Sequence, residues 1–344
     1  VKVDARLDVD DVEAMAQTVR RLEMEGYAGI WTSETAHDPF LPLMIAAQQT
    51  QRVQLGCAIA VAFARNPMTI ANVAHDLQRY SRGRFALGLG TQVKSHIERR
   101  FSMQWSDPMN RLEEFIDAVR AILTAWETGE RLHFEGSYYR HTLMTPMFRP
   151  DPHGHGLPPI IMAGVGASMV EAAARSADGV LVHAFSTPDY LREVVLPAVE
   201  RGLSSRARAR DGFEVSCRGF LATGRDEKEL DCAKQAIRAR IAFYASTPSY
   251  MPVLERHGWE ALGRQLNTLS RSGDDDRWTK MASLIDDEVL ETFAIVAEPD
   301  RAGAEIVRRY SVIADRYWFY TPYPIPSELL SSISRAISTG QSVG

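Results

Sequence analysis

The chain has 344 residues, 45% hydrophobic and 24% charged, with a formal net charge of −5. This suits an ordinary soluble core and argues against a nucleic-acid surface, the densest basic cluster being the short "RARAR" at 206–210, read as a solvated loop. Three widely spaced cysteines without a CxxC suggest neither zinc nor a disulfide framework, and no signal-peptide pattern or run of about 18 apolar residues occurs, so the expectation is a cytoplasmic protein with no membrane partner.

Strand and helix patterns alternate along the chain. "KVDARL" (2–7) reads as a first strand, followed by a helix with Val12, Met15, Val19 and Leu22 on one face and Gly26 as its stop. "AGIWTSE" (28–34) is a second strand and "VQLGCAIAV" (53–61) a third. Asn66 and Pro67 suit the cap and first turn of the next helix, which Gly83 ends. "RFALGLG" (84–90) is the fourth strand. Asp107-Pro108 repeats the cap-then-proline start, and that helix runs to Gly129.

Residues 130–157, rich in His, Pro and Tyr, predict a hairpin and loop. "PIIMAG" (159–164) is strand five, with Ser168 and Glu171 read as a capping box for its helix. "DGVLVHAF" (178–185) is strand six, "EVSCRGFLATG" (214–224) strand seven and "DRYWFYTP" (315–322) strand eight. Between the last two come a helix near 226–246, a partly helical excursion over 247–290 with the polar tip "SRSGDDDR", and a helix from Pro299 to Tyr310.

Eight such units predict an α/β fold of the TIM (β/α)8 barrel type. An open doubly wound sheet is the alternative. The barrel reading gives a single domain over 1–344 with insertions near 130–157 and 247–290. The second insertion, by its position and polar tip, is expected to cap the barrel mouth as a mobile lid.

Barrel chemistry lies at the C-terminal strand ends. There the sequence places Glu34 and His37, Ala58 to Val61, Thr91 and Gln92, Gly164 to Gly166, His183 and Thr321. The Gly-Val-Gly turn at 164–166 is no Rossmann fingerprint. Its third glycine position is Met169, and the next strand ends in His183-Ala184-Phe185 without an acid. Backbone amides of this turn can hold one phosphate, or the turn is a tight link with no ligand. Glu171 near the helix start would oppose a bound anion. Thr91 and Gln92 offer neutral hydrogen-bonding groups. His37 is an acid/base candidate or a loop histidine. His153 and His155 in "PHGHG" suggest either a metal or flexible surface, and surface is the reading taken. A nucleophile elbow is absent from the sequence.

Three blocks together resemble the luciferase-like monooxygenase superfamily, and within it the coenzyme F-420-dependent oxidoreductases. They are "EGYAGIWTSETAHDPF" (25–40), "GCAIAVAFARNPMTIANVAHDLQRYSRGRFALGLGTQ" (56–92) and "PPIIMAGVGASMVEAAARSADGVLVH" (158–183). The resemblance implies a bacterial luciferase-like TIM barrel, a homodimer and an oxidoreductase. It implies a deazaflavin or flavin lying across the mouth, its ring on a bulge at Ala58 and Ile59 that carries a cis peptide. Thr91, Gln92 and Ser95 would contact the ring edge or ribityl chain, and Gly164, Val165 and Gly166 the phosphate. His37 would move a proton, with Glu34 orienting it or bonding to the cofactor, although their spacing departs from the compact Asp-His of the best-known members. The implied function is hydride transfer between F-420 and a small-molecule substrate. The alternative is an FMN-dependent monooxygenase fed by a separate flavin reductase; a lesser one is a non-catalytic cofactor-binding barrel. Lys94, Arg99, Arg100 and Arg65, which follow strands four and three, would meet the carboxylate tail of F-420.

Overall fold

The computed structural model describes residues 1–339; the last five residues of the expected 1–344 domain lie outside the described residues. Eight parallel strands form a closed barrel: β1 (Lys2–Arg6), β2 (Gly29–Thr32), β3 (Gln54–Cys57), β4 (Phe85–Gly90), β5 (Ile160–Gly164), β6 (Gly179–Val182), β7 (Glu214–Ala222) and β8 (Arg316–Tyr320). Each strand pairs with the next, and β8 closes onto β1 with Val3 opposite Tyr317. Strands β2, β4 and β6 are buried at every residue, as a parallel sheet covered on both faces requires. All eight strands fall where the apolar runs place them.

Helices α1 (Val12–Met24), α2 (Leu41–Gln49), α3 (Pro67–Tyr80), α4 (Pro108–Thr128), α5 (Ala167–Ser176), α6 (Leu196–Ser205), α7 (Glu227–Ala245), α8 (Pro299–Tyr310) and α9 (Ser327–Thr339) belong to the outer layer. Local chemistry sets several of their ends. The Asn66 side chain accepts the Thr69 amide, and Pro67 occupies the first turn of α3. Gly129 closes α4 at φ +75. The capping box expected at Ser168 does not form. Gly166 is the cap of α5, no side chain bonds its first turn, and Glu171 instead binds Arg175 and Arg201.

The barrel interior is layered along the strands. Nearest the strand starts lie Asp4, Glu214 and Arg316; above them Trp31, Ser216 and Trp318; above those, toward the mouth, Arg218 and Tyr320. The middle layer is a separate apolar cluster that also takes in Ala58, Ala86, Ile161 and Leu181, with the Trp31 and Trp318 rings 5.1 Å apart.

The 130–157 segment forms the expected hairpin, Phe134–Glu135 against Arg140–His141. Its turn is held on α4 by the Glu114 carboxylate, which accepts the amides of Ser137, Tyr138 and Tyr139. The 247–290 excursion is helical over Met251–Glu255, Glu260–Ser270, Arg277–Ser283 and from Asp287. It is followed by a short strand missed in the sequence, Ala294–Val296, paired with the end of β7.

Candidate active site

The third strand breaks at the mouth. After Cys57 the ladder stops, the Ala58–Ile59 peptide is cis, and pairing resumes at Ala60–Val61 against β4. Gly88 explains one glycine of the "GLGTQ" strand end: a Cβ there would lie 1.9 Å from the Cys57 carbonyl oxygen. Only a glycine lets β4 run this close behind the bulge. Ala58 is buried, and Ile59 is half-buried against the apolar cluster beneath. The bulge thus places apolar groups, Ala58 and Ile59, at the strand end.

Glu34 secures this floor. Its Oε2 accepts the Val61 amide at 2.7 Å and Arg65 Nη1 at 2.6 Å, while the Ser33 hydroxyl donates to the Ala58 carbonyl at 2.9 Å. Arg65 also binds Asp38, so it is committed within this loop. His37 stands apart. It is 59% exposed with Nε2 3.5 Å from Asp10 Oδ1, and no hydrogen bond joins it to Glu34 among the described residues.

After β4, Thr91 and Gln92 are half-buried, and Gln92 adopts φ +61, where its Oε1 accepts the Val93 amide. Ser95, Lys94, Arg99 and Arg100 follow, exposed, on the short helix Lys94–Arg99 and its end. Lys94 lies 3.9 Å from Glu98, Arg100 donates to the Thr35 carbonyl, and Arg99 pairs with none of the described residues.

The turn after β5 meets the demands of an anion site. Gly164 is packed, since a Cβ there would meet Val170 and Val180 at 3.2 and 3.3 Å; Gly166 has nothing within 4 Å. The first amide of α5 to find an intrahelical partner is that of Val170, on Gly166. The preceding amides are uncapped at the positive end of the helix dipole. The objection that Glu171 would repel an anion weakens, because two arginines hold its carboxylate. Glycine turn, uncapped amides and apolar bulge together fit a phosphate-bearing flat cofactor.

A group that sequence reading did not single out completes the mouth. Arg218, on β7, lies over the Trp318 and Tyr320 rings at 5.3 Å from each. It makes no hydrogen bond or ion pair with the described residues, and its buried Nε is unpartnered. Burial and the neighbouring charge of Arg6 lower its pKa. Beside it stands His183, whose ring stacks on Tyr250 at 4.8 Å and meets Tyr244 edge-on. The Phe185 amide donates to its Nδ1 at 3.1 Å, which assigns the proton to Nε2. Burial, then the Arg218 charge, pushes its pKa down to about 3, so it is neutral at physiological pH. A 550 Å³ cavity reaches Arg218 from the β1–β8 side, lined also by Arg6, Asp8, Asp10, Arg240 and Tyr320.

Tyr250 comes from the 247–290 excursion, and His257 of the same segment bonds Thr187 at 2.8 Å. The excursion therefore covers the β6 side of the mouth.

The sequence profile of the luciferase-like monooxygenase family matches residues 2–316. The chain is 50% identical, over 86% of each sequence, to an uncharacterized protein of Mycobacterium tuberculosis. It is 27% identical to the 5,10-methylenetetrahydromethanopterin reductase of Archaeoglobus fulgidus, over 82% of this chain and 81% of that one. The solved coenzyme F-420-dependent tetrahydromethanopterin reductase of Methanopyrus kandleri shares its fold with a TM-score of 0.79 at 20% identity, across 98% of both chains. No helix among the described residues is long and apolar enough to cross a membrane. On the match over most of its length, the chain belongs to the luciferase-like monooxygenase family, a family of oxidoreductases.

Proposed function

We propose that this protein is an F-420-dependent oxidoreductase acting on a small organic substrate. The observation that carries the cofactor site is the uncapped first turn of α5 behind an open Gly166, facing the same mouth as the apolar bulge at Ala58–Ile59. The choice of F-420 leans on the reductases to which the chain is similar, and on the cations after β4. Bound there, the cofactor would supply hydride transfer at its central ring carbon.

The protein's own residues divide the remaining work. The amides following Gly166 bind the phosphate. Ala58 and Ile59 support the ring on apolar atoms and keep water from beneath it. Glu34 is a positioning residue, since its carboxylate fixes the Val61 amide and so the shape of the bulge. Thr91 and Gln92 hold the ring edge, with Ser95 next along the ribityl chain. His183 Nε2–H and the Arg218 guanidinium donate to substrate or ring oxygens. His37, the exposed histidine at the end of β2, exchanges the proton with solvent; a His37→Asn variant that lost turnover but kept cofactor affinity would agree with this.

The FMN-dependent monooxygenase is the second reading, favoured by the matched family's own description. Both cofactors carry a phosphate, and F-420 adds a chain of carboxylates. Side-by-side titration of the protein with F-420 and FMN at two salt concentrations separates them. The expected result is tighter F-420 binding that weakens with salt, because exposed charge pairs are screened, and that weakens slightly in Lys94→Ala. Tighter FMN binding, or F-420 affinity indifferent to salt, overturns the proposal.

A further inference from the structure

Away from the mouth, three side chains distant in sequence converge between the outer helices. His75 lies in α3, Glu127 in the last turn of α4, and His153 in the loop that returns from the hairpin to β5. One ligand atom from each lies within 4.8 Å of the others. Glu127 Oε1 is 3.3 Å from His153 Nδ1 and 3.9 Å from His75 Nε2. The side chains of His75 and His153 are 2% and 4% exposed, and that of Glu127 17%.

No hydrogen bond among the described residues accounts for His75, whose Nδ1 has the exposed Asp76 carboxylate at 3.9 Å. Both its ring nitrogens are buried without a hydrogen-bond partner. Its ring lies 4.5 Å from that of His153 and meets Trp126 edge-on at 5.5 Å. Buried imidazole nitrogens are normally satisfied, and leaving one unmade costs about 1–3 kcal/mol. Two imidazoles tilted 40° to each other and facing one carboxylate call for a shared partner that accepts lone pairs.

We propose that His75, Glu127 and His153 form a binding site for a divalent transition-metal ion, zinc foremost. Two imidazoles with one carboxylate, and no thiolate, are a zinc ligand set that leaves a fourth position for water. Zinc bonds of about 2.0–2.2 Å in tetrahedral geometry put ligand atoms about 3.4 Å apart. The separation between Glu127 and His153 Nδ1 already matches, the His75–Glu127 separation needs to close by about half an ångström, and the His75–His153 pair, within 4.8 Å, by up to about 1.4 Å. The His155 amide now reaches His153 Nδ1 at 3.1 Å, so a metal bound through Nδ1 would displace that contact. The loop can yield: Gly154 and Gly156 sit at φ +71 and +72 with open space about them, while Gln78 holds the Gly156 carbonyl at 3.2 Å. Bound metal would pin the 142–157 return loop to α3 and α4.

The test uses the full chain, stripped with chelator and dialysed against zinc. The expected result is about one zinc per chain, higher thermal stability than the stripped protein, and loss of both effects in Glu127→Gln and His153→Asn. Cobalt in the wild-type protein reports independently of any variant: visible d–d bands and quenching of Trp126 fluorescence, absent in Trp126→Phe, are expected. Zinc at background level in the wild type, or undiminished binding in both variants, overturns the site.

Discussion

The two ends of the barrel interior carry the same kind of group in opposite circumstances. At the strand starts, Arg316 grips Asp4 through two hydrogen bonds of 2.7 and 2.8 Å, with Glu214 a third member at 3.5 Å and Lys2 on Glu214 at 2.8 Å. Two residues further along β7 than Ser216, Arg218 is half-buried, its Nε buried and unpartnered, and it pairs with no carboxylate among the described residues. A paired buried arginine is architecture, because its field ends on its partner. An unpaired one keeps its attraction for whatever enters. The closed end of this barrel has completed its electrostatics within the chain. The mouth holds an arginine that has no partner among the described residues.

The largest expected effect comes from breaking the closed end. Arg316→Met leaves the fully buried Asp4 carboxylate uncompensated, and the expected loss is about 3–5 kcal/mol in urea unfolding at pH 8. Burial already raises the Asp4 pKa, and without Arg316 it rises further. A group whose pKa is raised in the folded state stabilises below its unfolded pKa and loses that stability as pH rises, so the deficit should shrink at pH 5. Adding Asp4→Asn should recover most of it. Equal loss in the single and double variants would show that packing, not charge, is at stake.

A smaller effect tests the neutral histidine of the mouth. The pKa of His183 is about 3 in the fold against about 6.5 unfolded, so the unfolded chain binds the extra proton between those values. Stability is lost as pH falls from about 6.5 toward 3. At pH 5 the loss relative to pH 8 is about 2 kcal/mol at most, since part of the ring meets solvent. His183→Gln should flatten the curve by that amount. Parallel curves for wild type and variant would remove His183 as a neutral donor.

Much of this comparison was hidden from sequence. The eight strands were legible because short apolar runs alternate with helical periodicity, and β5 and β8 end within two residues of their expected places. The Gly164–Gly166 turn was legible for the same reason, and the resemblance located the cis peptide at Ala58–Ile59. The capping box failed because Glu171 found two arginines, one from α6, that local spacing does not contain. His153 looked like flexible surface because "PHGHG" is locally featureless; burial comes from α3 and α4, supplied by the fold. Arg218 gave no signal at all. An arginine in a strand reads as a solvent-facing position until barrel closure turns that face inward. Tyr250 likewise reaches His183 only through the path of the excursion.

The smallest expected change in stability is the most telling. Arg218→Met removes a charge whose burial is unfavourable, and with it the contacts to Trp318 and Tyr320. A cation over an aromatic face contributes about 0.5–2 kcal/mol, depending on how far it is desolvated. The relief of burial is of similar size and opposite sign, and methionine refills the space of the aliphatic stem. Stability should therefore move by no more than about 1 kcal/mol, against several for Arg316→Met two layers below. Binding should behave in reverse. A hydrogen bond from a charged donor contributes about 1.5–3 kcal/mol, so the affinity for F-420, or for FMN if that is the cofactor, should fall about tenfold or more. Unfolding and cofactor titration of the same preparation read both quantities. Destabilisation on the scale of Arg316→Met would make Arg218 a structural group, and unchanged affinity would place the ligand elsewhere in the mouth. Only a stable protein that binds poorly agrees with a barrel whose unpaired end is its working end.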